Sequence, residues 1–367
     1  MNRDLALKTL GEILDWDDTE ASEEFAWLKL MSSYKYDGYQ GYEPGVHFLE
    51  SLVGWLLQFD AVKERKVVYT FVRTQLIFFS REEVFHLIHQ YSSSLRKYFL
   101  KKVAVKNGLK PYEVRQNTAA VADIEKAFRK SLFVGLSDGA RMDIFRRYNE
   151  GVISNEQIVV GPDISSEKWE DMIKKLRRDI EKRGWNEQPL FENIFLIDDF
   201  TASGTTILSK DESGEWGGKL NRFIKGICKD FDTHISPGAG LNIHHYITSE
   251  VGERNVTSAL AEFKVKETRL DMAATFGYVI GEQIRINPST DIDLVTLLKC
   301  HYDPGIETDS TKENIQMGYK GGALPIVLEH NTPNNSIALL WAESKEGVVK
   351  PPAKHMRPLF LRRQRHL

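Results

Sequence analysis

Thirteen residues in the middle of the chain, Ile194 to Thr206 (IFLIDDFTASGTT), constrain its fold more than any other stretch. Ile194, Phe195, Leu196 and Ile197 are apolar without alternation, the pattern of a strand covered on both faces in a parallel sheet. The strand ends in two carboxylates, Asp198 and Asp199, and runs straight into small and hydroxylated residues. In an open α/β sheet, ligands bind at the carboxyl ends of the strands. The loop Thr201, Ala202, Ser203, Gly204, Thr205, Thr206 suits a phosphate, because small side chains let backbone N–H groups approach the oxygens and hydroxyls add donors. Acids beside a phosphate cradle are reconciled by a sugar phosphate: the carboxylates accept hydrogen bonds from vicinal ribose hydroxyls while the loop holds the 5′-phosphate. The structural alternative is an Asp-Asp turn followed by a Ser/Thr-rich helix start. No Gly-Lys-Ser/Thr follows, so this is not a Walker loop, and no G-x-G-x-x-G opens a helix after a strand.

The rest of the chain supports an α/β class with helices at the front. Leu5, Leu7, Leu10, Ile13 and Leu14 recur at helical spacing, Phe48 to Phe59 is strongly apolar, and Ser80 with Glu83 forms a capping box for another helix. Tyr34, Tyr36, Tyr39 and Tyr42 are expected to cap a core with their hydroxyls in water. From about Asp123 strands and helices alternate: strands at Ser131–Leu136, Gln157–Val160 and Leu241–Thr248, helices at Met142–Tyr148, Ser166–Arg183 and Val251–Phe263. Leu220, Phe223, Ile224, Ile227, Cys228 and Phe231 mark one face of a further helix. Such alternation implies a mostly parallel sheet flanked by helices. The expected division is a helical N-terminal domain over 1–120, an α/β domain over 121–345 and a basic tail over 346–367.

Composition narrows the classes. With 41% apolar and 28% charged residues and a net charge of −3, the chain has no global drive toward nucleic acid or anionic membrane. Two cysteines, Cys228 and Cys300, exclude a disulfide framework or a cysteine zinc site. The start, MNRDLALKTLGEILDWDD, has acids where a signal peptide needs an apolar core, and Val67 to Phe79 is too short and too interrupted to span a bilayer. A cytoplasmic protein with no membrane contact is expected. The tail carries Lys350, Lys354, Arg357, Arg362, Arg363 and Arg365 with no acid, which reads as a solvated end or a subunit contact; nucleic acid is the alternative.

The motif strand, acid pair and loop together resemble the PRPP-binding motif of the type I phosphoribosyltransferase superfamily. Asp198 and Asp199 match the acidic pair, Phe200 and Thr201 the apolar pair, and Ala202 to Thr206 the phosphate loop. Thr201 departs from the usual aliphatic residue, and Ala202 stands where some members carry an acidic base. A second departure is Lys210 to Gly218 (KDESGEWGG), which interrupts the helix that normally follows the loop. The resemblance implies a type I-like α/β core, PRPP or a related ribose-phosphate ligand, and Mg²⁺, with Asp198 and Asp199 as catalytic residues and as candidate metal ligands. Pyrophosphate would be held by Ser137, Asp138, Gly139, Ala140 and Arg141, directly after the strand SLFVGL, with Gly139 supplying an unusual backbone angle and Arg141 a cation. His330, Asn331, Thr332, Pro333, Asn334 and Asn335 follow the strand-like LPIVLE; His330, Asn331, Asn334 and Asn335 are the candidate acceptor contacts. HNTPNN is similar to a divergent phosphoribosyltransferase-like branch of bacterial conflict and antiphage systems, including some retrons. Three activities stay open: transfer of ribose 5-phosphate, PRPP sensing without turnover, and an effector that attacks a nucleotide or macromolecule. A protein partner or nucleic acid would be met through the helical domain and basic tail, and an oligomer is compatible with the sequence.

Overall fold

The computed structural model describes residues 2–227, 231–307, 314–344 and 355–363. Its chain contacts form two compact units, Val84–Gly281 and Met1–Glu83 with Glu282–Leu367. The second unit opens with helices α1 (Arg3–Leu14), α2 (Asp18–Tyr34), α3 (Phe48–Leu56) and α4 (Val62–Thr74), then the short strand β1 (Ile77–Phe79). The expected capping box follows: Ser80 N–H donates to Glu83 at 2.7 Å and Glu83 N–H to Ser80 Oγ at 3.3 Å, opening α5 (Arg81–Lys106).

The unit Val84–Gly281 carries the sheet. After most of α5 come α6 (Thr118–Arg129), β2 (Ser131–Gly135), α7 (Met142–Tyr148), β3 (Ile158–Val160), α8 (Ser166–Lys182) and β4 (Phe191–Thr201). A two-residue hairpin pair, β5 (Ser209–Lys210) and β6 (Trp216–Gly217), precedes α9 (Lys219–Ile227) and the short α10 (Phe231–His234). Strand β7 (Ile235–Ser249), helix α11 (Glu250–Lys266) and strand β8 (Leu270–Ile280) complete it. The five-stranded sheet has the order β3-β2-β4-β7-β8, and every pairing is parallel. Counted in chain order within the sheet this is 2-1-3-4-5, so the strand order reverses between β2 and β4.

Both faces of β4 are covered, which is why its sequence shows no alternation. Ile194 and Leu196 share a core with Trp169, Met172 and Leu176 of α8, Leu220 and Phe223 of α9, and Val256 and Leu260 of α11. On the other face Phe195 stacks on Phe133 of β2 at 5.0 Å and meets Phe99 of α5 edge-on at 5.8 Å. The charged helix α8 thus has a solvated side and an apolar one, the latter formed by Trp169, Met172, Ile173, Leu176 and Ile180. Edge strand β8, whose residues alternate between buried and exposed, was not legible as a strand beforehand.

The units divide the chain differently from the expected boundaries at 120 and 345. Helix α5, assigned above to the N-terminal domain, has Ile88, Tyr91, Leu95 and Phe99 buried, and Tyr91 stacks on His244 of β7 at 3.6 Å. Residues 282–344, assigned above to the α/β domain, belong with the N-terminal helices. There α12 (Ile292–His301), β9 (Ile326–Leu328) and α13 (Ala338–Trp341) join their core, and β9 pairs in parallel with β1. Tail residues 355–363 pack through their apolar members, with Phe360 fully buried against Tyr36, Tyr39 and Phe48, while Arg357 and Arg363 stay exposed. Tyr34 is exposed as expected, but two of the other tyrosines differ from expectation. Tyr36 and Tyr39 are buried, Tyr39 Oη donates to Leu361 O at 2.6 Å, and burial pushes both phenols up to about 12. Cys228, Lys350, Lys354 and Arg365 lie outside the described residues. Among the described residues no helix is long and apolar enough to cross a membrane.

The hairpin that replaces the helix after the motif depends on one glycine. Gly218 has φ +96°, and a Cβ there would stand 2.5 Å from Ile207 O. Gly226, in α9, has open space around it. Gly218→Ala should therefore lower unfolding free energy by about 2 kcal/mol or more, whereas Gly226→Ala should be neutral or slightly stabilising. Urea titration of both variants checks this, and equal effects would contradict the packing described.

Candidate functional site

The carboxyl ends of β2 and β4 lie side by side where the strand order reverses, the place at which open α/β sheets bind ligands. The two loops singled out in the sequence leave from these ends. Ser137, two residues past β2, joins them: its hydroxyl donates to Asp198 Oδ1 and stands 3.3 Å from Asp199 Oδ1. Consecutive strand residues point to opposite faces, so Asp198 turns toward the side of α9 and Asp199 away from it. Asp198 is 2% exposed, and Asp199 is half-buried.

Lys219, the first residue of α9, places its ammonium 2.5 Å from Asp198 Oδ2. Burial pushes the Asp198 carboxyl up to about 6, and the neighbouring Asp199 charge adds to this; Lys219 and Ser137 oppose it. His245 pairs with Asp198 across the β4–β7 ladder and is fully buried. Burial, and secondarily the Lys219 charge, holds its imidazole down to about 3, so it stays neutral. His244 is likewise held well below the usual range by burial.

The phosphate-loop candidates are braced from β7 and α11. Thr248 Oγ1 donates to Thr201 O at 3.0 Å, Ser249 Oγ to Ala202 O at 2.6 Å, and Asn255 Nδ2 to Ser203 O at 2.9 Å. Ser249 also caps α11 by accepting from Gly252 N–H. Gly204 has φ +74° and packs against Val256 and the Gly252 carbonyl, with its N–H donated to Thr201 Oγ1 at 3.1 Å. Ser203 and Thr205 hydroxyls lie 2.9 Å apart. The N–H groups of Ser203, Thr205 and Thr206 have no acceptor among the described residues, as an anion cradle requires. No helix starts at Gly204: a single turn over Gly204–Leu208 leads into the hairpin, so the dipole of a long helix does not act there.

In the loop after β2, Asp138, Gly139 and Ala140 form one 3₁₀ turn, with Asp138 exposed and Gly139 and Ala140 buried. Tyr246 Oη donates to Ala140 O at 3.2 Å. It is Arg141, with φ +47°, that takes the left-handed conformation expected at Gly139. Segment 330–335 belongs to the other unit, where its groups have local partners. Thr332 Oγ1 lies 3.1 Å from Tyr39 Oη, Asn331 Oδ1 accepts from Arg363 N–H at 3.0 Å, and Asn335 Nδ2 donates to Tyr319 O at 3.1 Å. Asn334 O accepts from Tyr319 N–H at 2.7 Å, and His330 Nδ1 lies 3.5 Å from Glu329.

The candidate metal ligands fit a divalent ion poorly. One Asp198 oxygen faces an ammonium and the other a hydroxyl, and among the described residues no three His, Cys, Asp or Glu side chains group to hold a metal. Lys219, Ser137 as the link between the loops, and the brace from Thr248, Ser249 and Asn255 were all missed in the sequence. Only the Gly217–Gly218 pair just before an amphipathic helix hinted that Lys219 begins an element.

A family model described as PRTase-CE matches residues 52–362, well over half of the chain. The chain belongs to this phosphoribosyltransferase-like family. Its core is accordingly phosphoribosyltransferase-like, with a parallel sheet flanked by helices and helices at the front. No curated protein and no solved structure matches significantly.

The elevated Asp198 carboxyl makes a pH prediction for this PRTase-CE protein. The folded chain holds that proton more tightly than the unfolded one, so the contribution is complete below about pH 4 and lost as pH rises through about 6. Asp198→Asn has no such loss. The variant's stability relative to wild type should rise by on the order of 3 kcal/mol between pH 4 and pH 8. Denaturant unfolding across that range tests the sign, and a flat difference would contradict the assignment.

Proposed function

We propose that the chain binds PRPP or a related ribose 5-phosphate ligand at the carboxyl ends of β2 and β4 and transfers or releases ribose 5-phosphate. The observation that carries this is the convergence, at the strand-order reversal, of the acid pair with Ser137 from the neighbouring loop. Family membership supports the same class of ligand. In this reading Ser203, Gly204, Thr205 and Thr206, with Thr201 and Ala202, hold the 5′-phosphate through N–H and hydroxyl donors. Asp198 and Asp199 accept from the ribose hydroxyls and stabilise positive charge as the C1′–O bond breaks. Ser137 to Arg141 hold the departing pyrophosphate, whose charge grows in the transition state. Mg²⁺ enters as the counter-ion of the ligand's pyrophosphate, not as a resident of Asp198.

A second reading, a PRPP sensor without turnover, is favoured by Ala202, which offers no base beside the sugar, and by the ammonium already on Asp198. The likeness to conflict-system proteins extends the first reading to a cytoplasmic antiphage effector acting on a nucleotide or macromolecule, with a protein or nucleic-acid partner engaged through the helices and tail.

PRPP at millimolar concentration should raise the melting temperature, since a ligand selective for the folded state stabilises it by mass action. No shift and no calorimetric heat would remove the central claim. Arg141→Ala should weaken PRPP but leave ribose 5-phosphate binding unchanged. If the protein turns over, the variant should also slow pyrophosphate release by about 3 kcal/mol of barrier. An equal loss of ribose 5-phosphate binding would place Arg141 outside the pyrophosphate role.

A further inference from the structure

Both oxygens of the Asp198 carboxylate are engaged. Oδ1 accepts from Ser137 Oγ and, at 3.2 Å, from Asp199 N–H; Oδ2 accepts from the Lys219 ammonium at 2.5 Å. The carboxylate side chain is 3% exposed and the lysine 21%. Lys219 is also tied to the phosphate loop through its own backbone, because its N–H donates to Thr206 O at 2.9 Å. The preceding Gly218 lies against the Ile207 backbone, which fixes where the lysine starts. One residue therefore spans the two halves of the site, with its main chain on the loop and its charge on the acid. A divalent cation seated on Oδ2 would meet the ammonium at short range, and like charges in a poorly solvated place repel strongly.

We propose that Lys219 is the resident cation of this site: its ammonium holds the position on Asp198 that a divalent metal would need, and ribose phosphate is bound with no metal on Asp198. The cation assignment stands on the contacts alone, while the ligand part rests on the function proposed above. Lys219 is a positioning residue here, acting through Asp198 and the Thr206 carbonyl.

Mn²⁺ binding, followed by electron paramagnetic resonance on the full chain, tests the assignment without any sugar ligand. Wild type and Lys219→Arg should show no Mn²⁺ site that Asp198→Asn removes. Lys219→Met should gain one, lost again when Asp198→Asn is added. A wild-type site that depends on Asp198, or a folded Lys219→Met variant that gains none, overturns the proposal. Should Lys219→Met not melt cooperatively, the wild-type and Lys219→Arg results decide alone. Ribose 5-phosphate calorimetry forms the second arm. Its affinity for wild type should be the same in Mg²⁺ and in EDTA and should fall about tenfold or more in Lys219→Met, with Lys219→Arg close to wild type. A tenfold gain from Mg²⁺ in wild type overturns the proposal. Absence of any ribose 5-phosphate or PRPP binding, with the Mn²⁺ results as expected, removes the proposed function and leaves the cation assignment standing.

Discussion

A carboxylate buried within a covered strand must be neutralised or hydrogen-bonded, and Asp198 of β4 sits in that position. Ser137 and Lys219 meet the requirement, and much of the local architecture follows from bringing them there. Ser137 arrives because β2 and β4 are neighbours. Lys219 arrives because the chain does not continue from the loop into a helix. It makes one turn, doubles back through the β5–β6 hairpin, and starts α9 only after Gly218, so that the first helical residue returns to the acid. The helix interruption that looked like a departure from the phosphoribosyltransferase pattern is thus the means by which a cation reaches the acid pair.

The loop beyond the acids is shaped by the next strand. Carbonyls of Thr201, Ala202 and Ser203 are taken by side chains from the end of β7 and the first turns of α11, which turns them away from the site. With those acceptors committed, the N–H groups of Ser203, Thr205 and Thr206 are left for an anion. The two carboxylates share the Ser137 hydroxyl, and Asp198 meets in addition the lysine that opens α9.

The unit formed by both chain ends rests on a different principle. Its core is an aromatic cluster in which Phe360 meets Tyr36, Tyr39, Tyr42, Phe48 and Phe78, with the parallel pair β1–β9 closing it. The segment 330–335, rich in asparagine, serves this core through Thr332 and Asn331, which hold Tyr39 and the Arg363 backbone. The Tyr39 hydroxyl finds buried partners in Thr332 and the Leu361 carbonyl, which lets that ring sit inside rather than cap the surface.

The sequence by itself determined the local and the periodic. The unbroken apolar run predicted the covered strand, Ser80 with Glu83 predicted the capping box of α5, and the spacing of apolar residues predicted most helices of the sheet unit, because each signal lies within a turn or a strand of itself. It also placed the phosphate loop and the loop after β2 at strand ends, whereas the acid pair lies inside β4, which runs on to Thr201. Only the tertiary structure decided what lies far apart in the chain. Strand order put Ser137 beside Asp198, the hairpin returned Lys219, and β7 with α11 supplied the brace. Residues 282–344 joined the front helices rather than the sheet, and Phe360 was drawn from a basic tail into a core. These depend on pairing and burial between distant segments, which leave no spacing in the sequence: a lysine is indistinguishable from a solvated one until the fold shows which charge it must neutralise.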